Sequence, residues 1–243
     1  MSSAMSLEAG SIDRLDERLE ALAPRLRLLL DASERERLLA YLALIRRWTQ
    51  VYNLTAVREL QEMFTHHLLD CLAVVAPLRQ GTGRAAQDGL RLLDVGSGAG
   101  LPGVILALLN PGWMVTCVDA VAKKATFIRQ VAAELALPNL QGLHGRVEDK
   151  RTFKSPEFDL ITSRAFASLT DFVSLTRPLL LAGQGKWAAM KANLSDDERQ
   201  ALPVGIELFH VEQLNVPELD AARCLVWLKP VDGDLQRGTV ITN

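Results

Sequence analysis

The sequence predicts an α/β fold: a mostly parallel seven-stranded sheet with helices on both faces and an N-terminal helical cap. Three observations predict it. From Leu90 onward, short apolar runs alternate with stretches of helical periodicity, as in a parallel sheet covered on both sides. One of these runs, Arg91 to Val95, carries Leu92, Leu93 and Val95 and is too continuously apolar for a half-exposed strand. Before Leu90 apolar residues recur at helical spacing, and Gly81 to Gly89, rich in Gly, Gln and Thr, forms the boundary between a cap over 12–89 and a sheet domain over 90–243.

Residues 1–11 are small and polar and are expected to be disordered. Leu15, Leu19, Leu22 and Leu26 then mark a short helix starting at Ile12, which Pro24 interrupts before a further turn. Ser33, with Glu36 three residues later, reads as a capping box. It opens a helix whose buried stripe is Leu38, Leu42, Ile45, Trp48 and Tyr52, with Arg35, Arg46 and Arg47 solvated. Asn53-Leu54-Thr55 ends that helix and Arg58 lies in the connector. Glu59 to Leu78 is the third helix, with Leu60, Phe64, Leu68, Leu72 and Val75 inward. His66 and His67 lie four and three residues before Asp70, on one helical face. Such a pair serves acid-base chemistry or, with no nucleophile nearby, a structural hydrogen bond, and the second reading is favoured.

In the sheet domain the expected strands are Arg91–Val95, Trp113–Val118, Leu140–His144, Phe158–Ser163 and Gly185–Ala192. Helices fall between them at Leu101–Leu109, Lys123–Leu135 and Leu169–Leu181, the last stopped by Gly183. Ile206–Leu214 and Arg223–Lys229 alternate polar and apolar residues between prolines, the pattern of an antiparallel closing hairpin.

The chain has 243 residues and a net charge of −2, which excludes a globally basic nucleic-acid binder and leaves only local basic patches for RNA. Cys71, Cys117 and Cys224 lie in apolar segments without metal-ligand spacing, so a reduced, cytoplasmic protein with no metal is expected. No apolar run is long enough to span a bilayer.

The chemistry gathers at the turn after the first strand. Gly96, Gly98 and Gly100 allow positive φ and close approach of another molecule, and a helix N-terminus follows that suits a carboxylate or phosphate. Asp119, about 20 residues on and at the end of the adjacent strand, is placed to accept hydrogen bonds from two ribose hydroxyls, which implies an adenosine-containing ligand. Gly98 to Gly103 matches G-x-G-x-x-G, a weak dinucleotide signal, whereas Asp94 extends the motif to D-x-G-x-G-x-G, which resembles the first motif of class I S-adenosylmethionine-dependent methyltransferases. A glycine turn that only packs a helix on a strand is the plain alternative. Val147 and Glu148 fall beside the same ligand, nearest its adenine, because ligands bind beyond the carboxyl ends of the strands. Arg164 and Lys191 reach the same edge; Arg164 can clamp a carboxylate or meet an RNA phosphate, and Phe166 fills the core or stacks on a base.

Together these residues resemble the bacterial 16S rRNA guanine-N7 methyltransferases, the glucose-inhibited division protein B family. The resemblance runs from about Ser33 to Lys229. It rests on Trp48 with Tyr52-Asn53-Leu54-Thr55-Ala56-Val57-Arg58, His67 with Leu69-Asp70, the glycine turn through Pro102-Gly103, Arg146-Val147-Glu148, and Ser163-Arg164-Ala165-Phe166-Ala167-Ser168-Leu169. The departures are His66, where the family pattern has Arg, and Ala192, where it has Gly. The resemblance implies a Rossmann-like class I methyltransferase fold and S-adenosylmethionine as donor. It implies as acceptor a guanine in the decoding-region loop of 16S rRNA or of the small ribosomal subunit. By the same likeness Gly96, Leu101, Val147, Glu148 and Arg164 belong to the cofactor pocket, beside Gly98 and Asp119 of the glycine turn and the adjacent strand, and Asn53, Arg58, His67 and Lys191 to the RNA side. Arg58, Arg164 and Lys191 are the expected positioning residues, with no acid-base residue and no membrane or metal, in a monomer. Two other functions stay open: a nicotinamide-dependent oxidoreductase and a non-catalytic rRNA-binding assembly factor.

Overall fold

A computed structural model of the protein describes residues 2–153, 157–164, 166 and 168–231. The last part of the expected sheet domain, 232–243, and Ala165 and Ala167 of the Arg164 motif lie outside the described residues. The helices are α1 (Ser2–Leu22), α2 (Ala32–Tyr52), α3 (Leu60–Met63), α4 (Asp70–Leu72), α5 (Val75–Thr82), α6 (Gly103–Leu109), α7 (Ala122–Glu134), α8 (Leu169–Thr176) and α9 (Asp196–Gln200). A π-helical segment, Phe64–Leu69, joins α3 to α4. The strands are β1 (Leu90–Val95), β2 (Trp113–Asp119), β3 (Leu140–His144), β4 (Leu160–Arg164), β5 (Lys186–Lys191), β6 (Ile206–Gln213) and β7 (Cys224–Pro230).

They form one seven-stranded sheet in the order β3-β2-β1-β4-β5-β7-β6. The first five strands are parallel, and β7 is antiparallel to both β5 and β6. This is the mostly parallel sheet expected from the alternating pattern. Leu92 lies opposite Val115 and Leu160, so β1 is covered by strands on both sides as its apolar run demands. The order reverses between β1 and β4, which opens a crevice beyond their carboxyl ends. Successive β1 side chains serve opposite faces: Leu90 and Leu92 join a core beneath the N-terminal helices, Leu93 and Val95 one beneath α8. The three cysteines are buried and unpaired, Cys71 on α4, Cys117 on β2 and Cys224 on β7.

Several element boundaries differ from expectation. α1 begins at Ser2, not Ile12, because a helix anchored by buried Leu15, Leu19 and Leu22 extends at little cost into residues without apolar periodicity. The capping box of α2 is Asp31 with Glu34 and not Ser33 with Glu36. The Glu34 amide donates to Asp31 Oδ1 at 2.7 Å and the Asp31 amide to Glu34 Oε2 at 3.0 Å, which leaves Ser33 inside the first turn. Tyr52 is exposed at the end of α2, and Tyr41 is the buried tyrosine of its stripe. The single helix expected over Glu59–Leu78 is broken into α3, the π segment, α4 and α5. α5 extends to Thr82 and includes Gly81, where a Cβ would lie 2.3 Å from Trp227 Cζ2. Pro178 ends α8 at Thr176 and leaves a 3-10 turn, Arg177–Leu179.

Candidate active site

The carboxyl ends of β1, β4 and β5 open onto a cleft of about 950 Å³, walled on the other side by the α2–α3 connector and the π segment. Its floor is the glycine turn. Gly96 and Gly98 have φ of +67° and +59°, and no atom lies within 4 Å of where a Gly96 Cβ would stand. A side chain at either position would adopt a strained conformation. Tyr41 braces this turn from α2, its hydroxyl donating to the Ala99 carbonyl at 2.6 Å.

Two carboxylates shape the turn from beneath. Asp94, fully buried, accepts from the Gly103 amide at 2.9 Å through Oδ2, while Oδ1 has no partner. Burial pushes its carboxyl up to about 6 despite the Gly103 bond. The negative charge at the start of α6 is therefore the chain's own, whereas the motif alone suggested a ligand carboxylate or phosphate there. Pro102 is the N-cap of α6, which starts at Gly103 and not at Leu101. Gly103 has a packing role, because a Cβ there would lie 2.3 Å from Cys117 Sγ and 2.8 Å from Asp94 Oδ2. Asp119 accepts from the Gly98 amide at 3.0 Å and the Val121 amide at 2.8 Å, with Lys124 Nζ at 3.6 Å. Its oxygens thus tie the turn to β2 instead of standing open to a ribose.

Of the expected site residues, Gly96, Gly98, Leu101, His67, Arg164 and Lys191 line this one cleft. Asp119, Val147 and Glu148 lie outside its lining, Val147 buried in the second core and exposed Glu148 paired with Arg146 at 3.5 Å. Asn53 and Arg58 are also outside it, exposed and joined by an Arg58 Nη2 to Asn53 Oδ1 bond of 2.8 Å. Leu54, Thr55 and Val57 between them form part of the wall.

His67 does not pair with Asp70. Its Nε2 meets Thr55 Oγ1 at 2.9 Å, and its buried Nδ1 has no partner. Burial, reinforced by the nearby Arg164 charge, lowers its pKa to about 4, so the ring is neutral at pH 7. Asp70 instead accepts from Arg223 Nε at 2.9 Å and Arg164 Nη1 at 3.3 Å, and Arg164 Nη1 also donates to the His66 carbonyl at 3.0 Å. Arg164, Asp70 and Arg223 form a cationic lining held from three elements. Lys191 at the end of β5 pairs with Glu198 of α9. Sequence reasoning missed Tyr41, Arg223 and Glu198. Only Tyr41 left a signal there, its helical spacing from Leu38 and Ile45.

Comparison with known proteins accounts for this arrangement. The family described as GidB, rRNA small subunit methyltransferase G, matches residues 34–226. A ribosomal RNA small subunit methyltransferase G of Methylibium petroleiphilum is 57% identical over 214 residues, covering 88% of this chain and 94% of that protein. Its counterpart in Polaromonas naphthalenivorans is 54% identical over 224 residues, covering 92% and 99%. Among solved structures, TrmN from Thermus thermophilus superposes with a TM-score of 0.53 at 23% identity, over 65% of this chain and 48% of that one, a likeness of fold alone. A sequence match across most of both chains, on a sheet whose crevice carries the glycine turn, leaves one conclusion: the chain belongs to the GidB family of small-subunit rRNA methyltransferases.

Proposed function

We infer that the chain transfers a methyl group from S-adenosylmethionine to N7 of a guanine in the decoding-region loop of 16S rRNA. The observation that carries this reading is the cleft itself, which has bare glycine backbone on its floor and Arg164, Lys191 and Arg223 in its walls. S-adenosylmethionine supplies an electrophilic methyl on a sulfonium sulfur. The empty space above the Gly96 Cα fits a ligand pressed against backbone, and Gly96, Gly98 and Leu101 would hold it. Asp119, Val147 and Glu148 would flank its nucleoside end if the Asp119 carboxylate exchanges its Gly98 bond for a ribose hydroxyl.

Guanine N7 carries a lone pair and no proton, so this chemistry asks the protein for orientation and not for a base. Neutral His67, bound to Thr55, fits that requirement. Holding two reactants in line lowers a barrier by roughly 7–11 kcal/mol. Lys191, Arg58 and Asn53 would meet RNA phosphates or base edges, and Arg164 would steady the acceptor from the wall. Contacts to guanine O6 are favoured over contacts to N7, which must stay open for attack. Three buried thiols fit a reducing cytoplasm, and we read the working unit as a monomer.

Methyl transfer to small ribosomal subunits from cells lacking the gene tests this reading, with mass spectrometry locating the product. Lys191→Ala and Arg58→Ala are each expected to lower kcat/KM tenfold or more, roughly the worth of a charge-assisted hydrogen bond. Wild-type rates in both variants would overturn the assignment of these residues. Methyl appearing on another nucleotide would overturn the acceptor.

A further inference from the structure

Among the described residues, the Lys and Arg side chains lining the cleft are Arg164, Lys191 and Arg223, and each is ion-paired with a carboxylate that also lines it. The two carboxylates differ. Asp70 is 3% exposed, accepts from both arginines and lies in a helical turn whose residues are all buried. Its charge cannot withdraw without stranding two guanidinium groups. Glu198 holds Lys191 alone and lies on α9, a five-residue helix with no buried residue. The ends of α9 are held by the Glu198 amide donating to Ser195 Oγ at 3.2 Å and by the Thr170 hydroxyl donating to the Ala201 carbonyl at 2.8 Å. Neither bond involves the Glu198 carboxylate, which is free to turn outward into water.

We propose that Glu198 is a built-in competitor for the acceptor RNA, its carboxylate occupying the Lys191 ammonium until a backbone phosphate seated in the cleft displaces it. This role rests on the reading of Lys191 as an RNA contact. Carboxylate and phosphate seek the same compact, rotatable ammonium, so the exchange requires no movement of β5. The pair is partly exposed, with side-chain exposures of 16% and 25%, and is therefore weak. An RNA that fits the whole cleft overcomes it easily. Any RNA that seats a phosphate on Lys191 meets the same cost, up to about fivefold in affinity, so a weakly held RNA loses occupancy of the cleft while one present well above its Kd keeps it.

The test uses the full-length protein with Glu198→Gln, Lys191→Ala and the double variant. Binding of a labelled RNA unrelated to rRNA is titrated against salt, and methyl transfer is measured on unmethylated small ribosomal subunits. Glu198→Gln is expected to bind the unrelated RNA about threefold to fivefold more tightly. Its log–log salt slope should steepen by about 0.7, the signature of one more neutralised phosphate. On subunits KM should fall while kcat holds, and every gain should vanish in the double variant. If Glu198→Gln leaves affinity and salt slope unchanged, or weakens binding, while Lys191→Ala weakens binding, the competitor role is overturned and Lys191 remains an RNA contact. If Lys191→Ala also leaves binding unchanged, the underlying assignment of Lys191 fails with it. A merely structural Glu198 would lower the melting temperature of Glu198→Gln without moving the salt slope.

Discussion

His67 is 5% exposed and carries a pKa of about 4, against about 6.5 for an unperturbed imidazole. Its unfolded form binds a proton between those values and its folded form does not. The stability it contributes is therefore complete above pH 6.5 and is lost as pH falls toward 4. Asp94 runs the other way: burial raises its carboxyl to about 6, so its contribution is complete below about pH 4 and is lost as pH rises through 6. Comparing wild type with His67→Gln by urea unfolding at each pH cancels the Asp94 effect. The stability difference between the two proteins should shift by about 2 kcal/mol, in favour of the variant, from pH 7 to pH 5. A difference that stays flat would mean that the folded imidazole titrates normally. At this scale the glycine turn and the two cleft-lining cations Arg164 and Lys191 were legible, because motif spacing and strand ends are local properties. Arg223 was not: it meets an aspartate 153 residues earlier in the chain, and no local pattern encodes such a pairing.

At the scale of elements, the observed box of α2, Asp31 with Glu34, has the same spacing as the expected one, Ser33 with Glu36, and lies two residues earlier. Arg35 donates to Asp16 of α1 at 2.9 Å and to the Leu30 carbonyl at 3.2 Å, which ties this end of α2 to α1 beside the Asp31 cap. Asp31→Ala should cost about 1 kcal/mol in urea unfolding, and Ser33→Ala should be close to neutral. The reverse result would return the cap to Ser33. The π segment could not be read from apolar spacing, since one extra residue per turn leaves Phe64, Leu68 and Leu72 buried as a plain helix would. Its effect is local and functional in position, for it carries His66 and His67 to the cleft.

Across the whole molecule, the cap and the sheet share one core that runs from Leu15 and Leu38 through Leu92 and Ile105 to Trp227. The Tyr41 bond to Ala99 and the Arg47 bond to Glu134 at 2.9 Å cross the same junction. Trp48 reports on the cap, and Trp113, Trp187 and Trp227 report on the sheet. We expect tryptophan emission and far-ultraviolet dichroism to lose signal at one common urea midpoint. Two separated transitions would show that the cap folds as an independent unit. The parallel part of the sheet was legible because β1, β2 and β4 are each followed by a helix, α6, α7 and α8. The insertion of β7 between β5 and β6 was not, since an alternating pattern marks an antiparallel pair without saying which member lies inside.

Cys71 and Cys117 are sealed in that shared interior and Cys224 in the second core beneath α8, and burial pushes all three thiols up. A reagent such as iodoacetamide attacks the thiolate, so it finds no target while the chain is closed. Alkylation at these positions therefore tallies visits to the opened ensemble, and the native sequence carries its own chemical stopwatch without an added label.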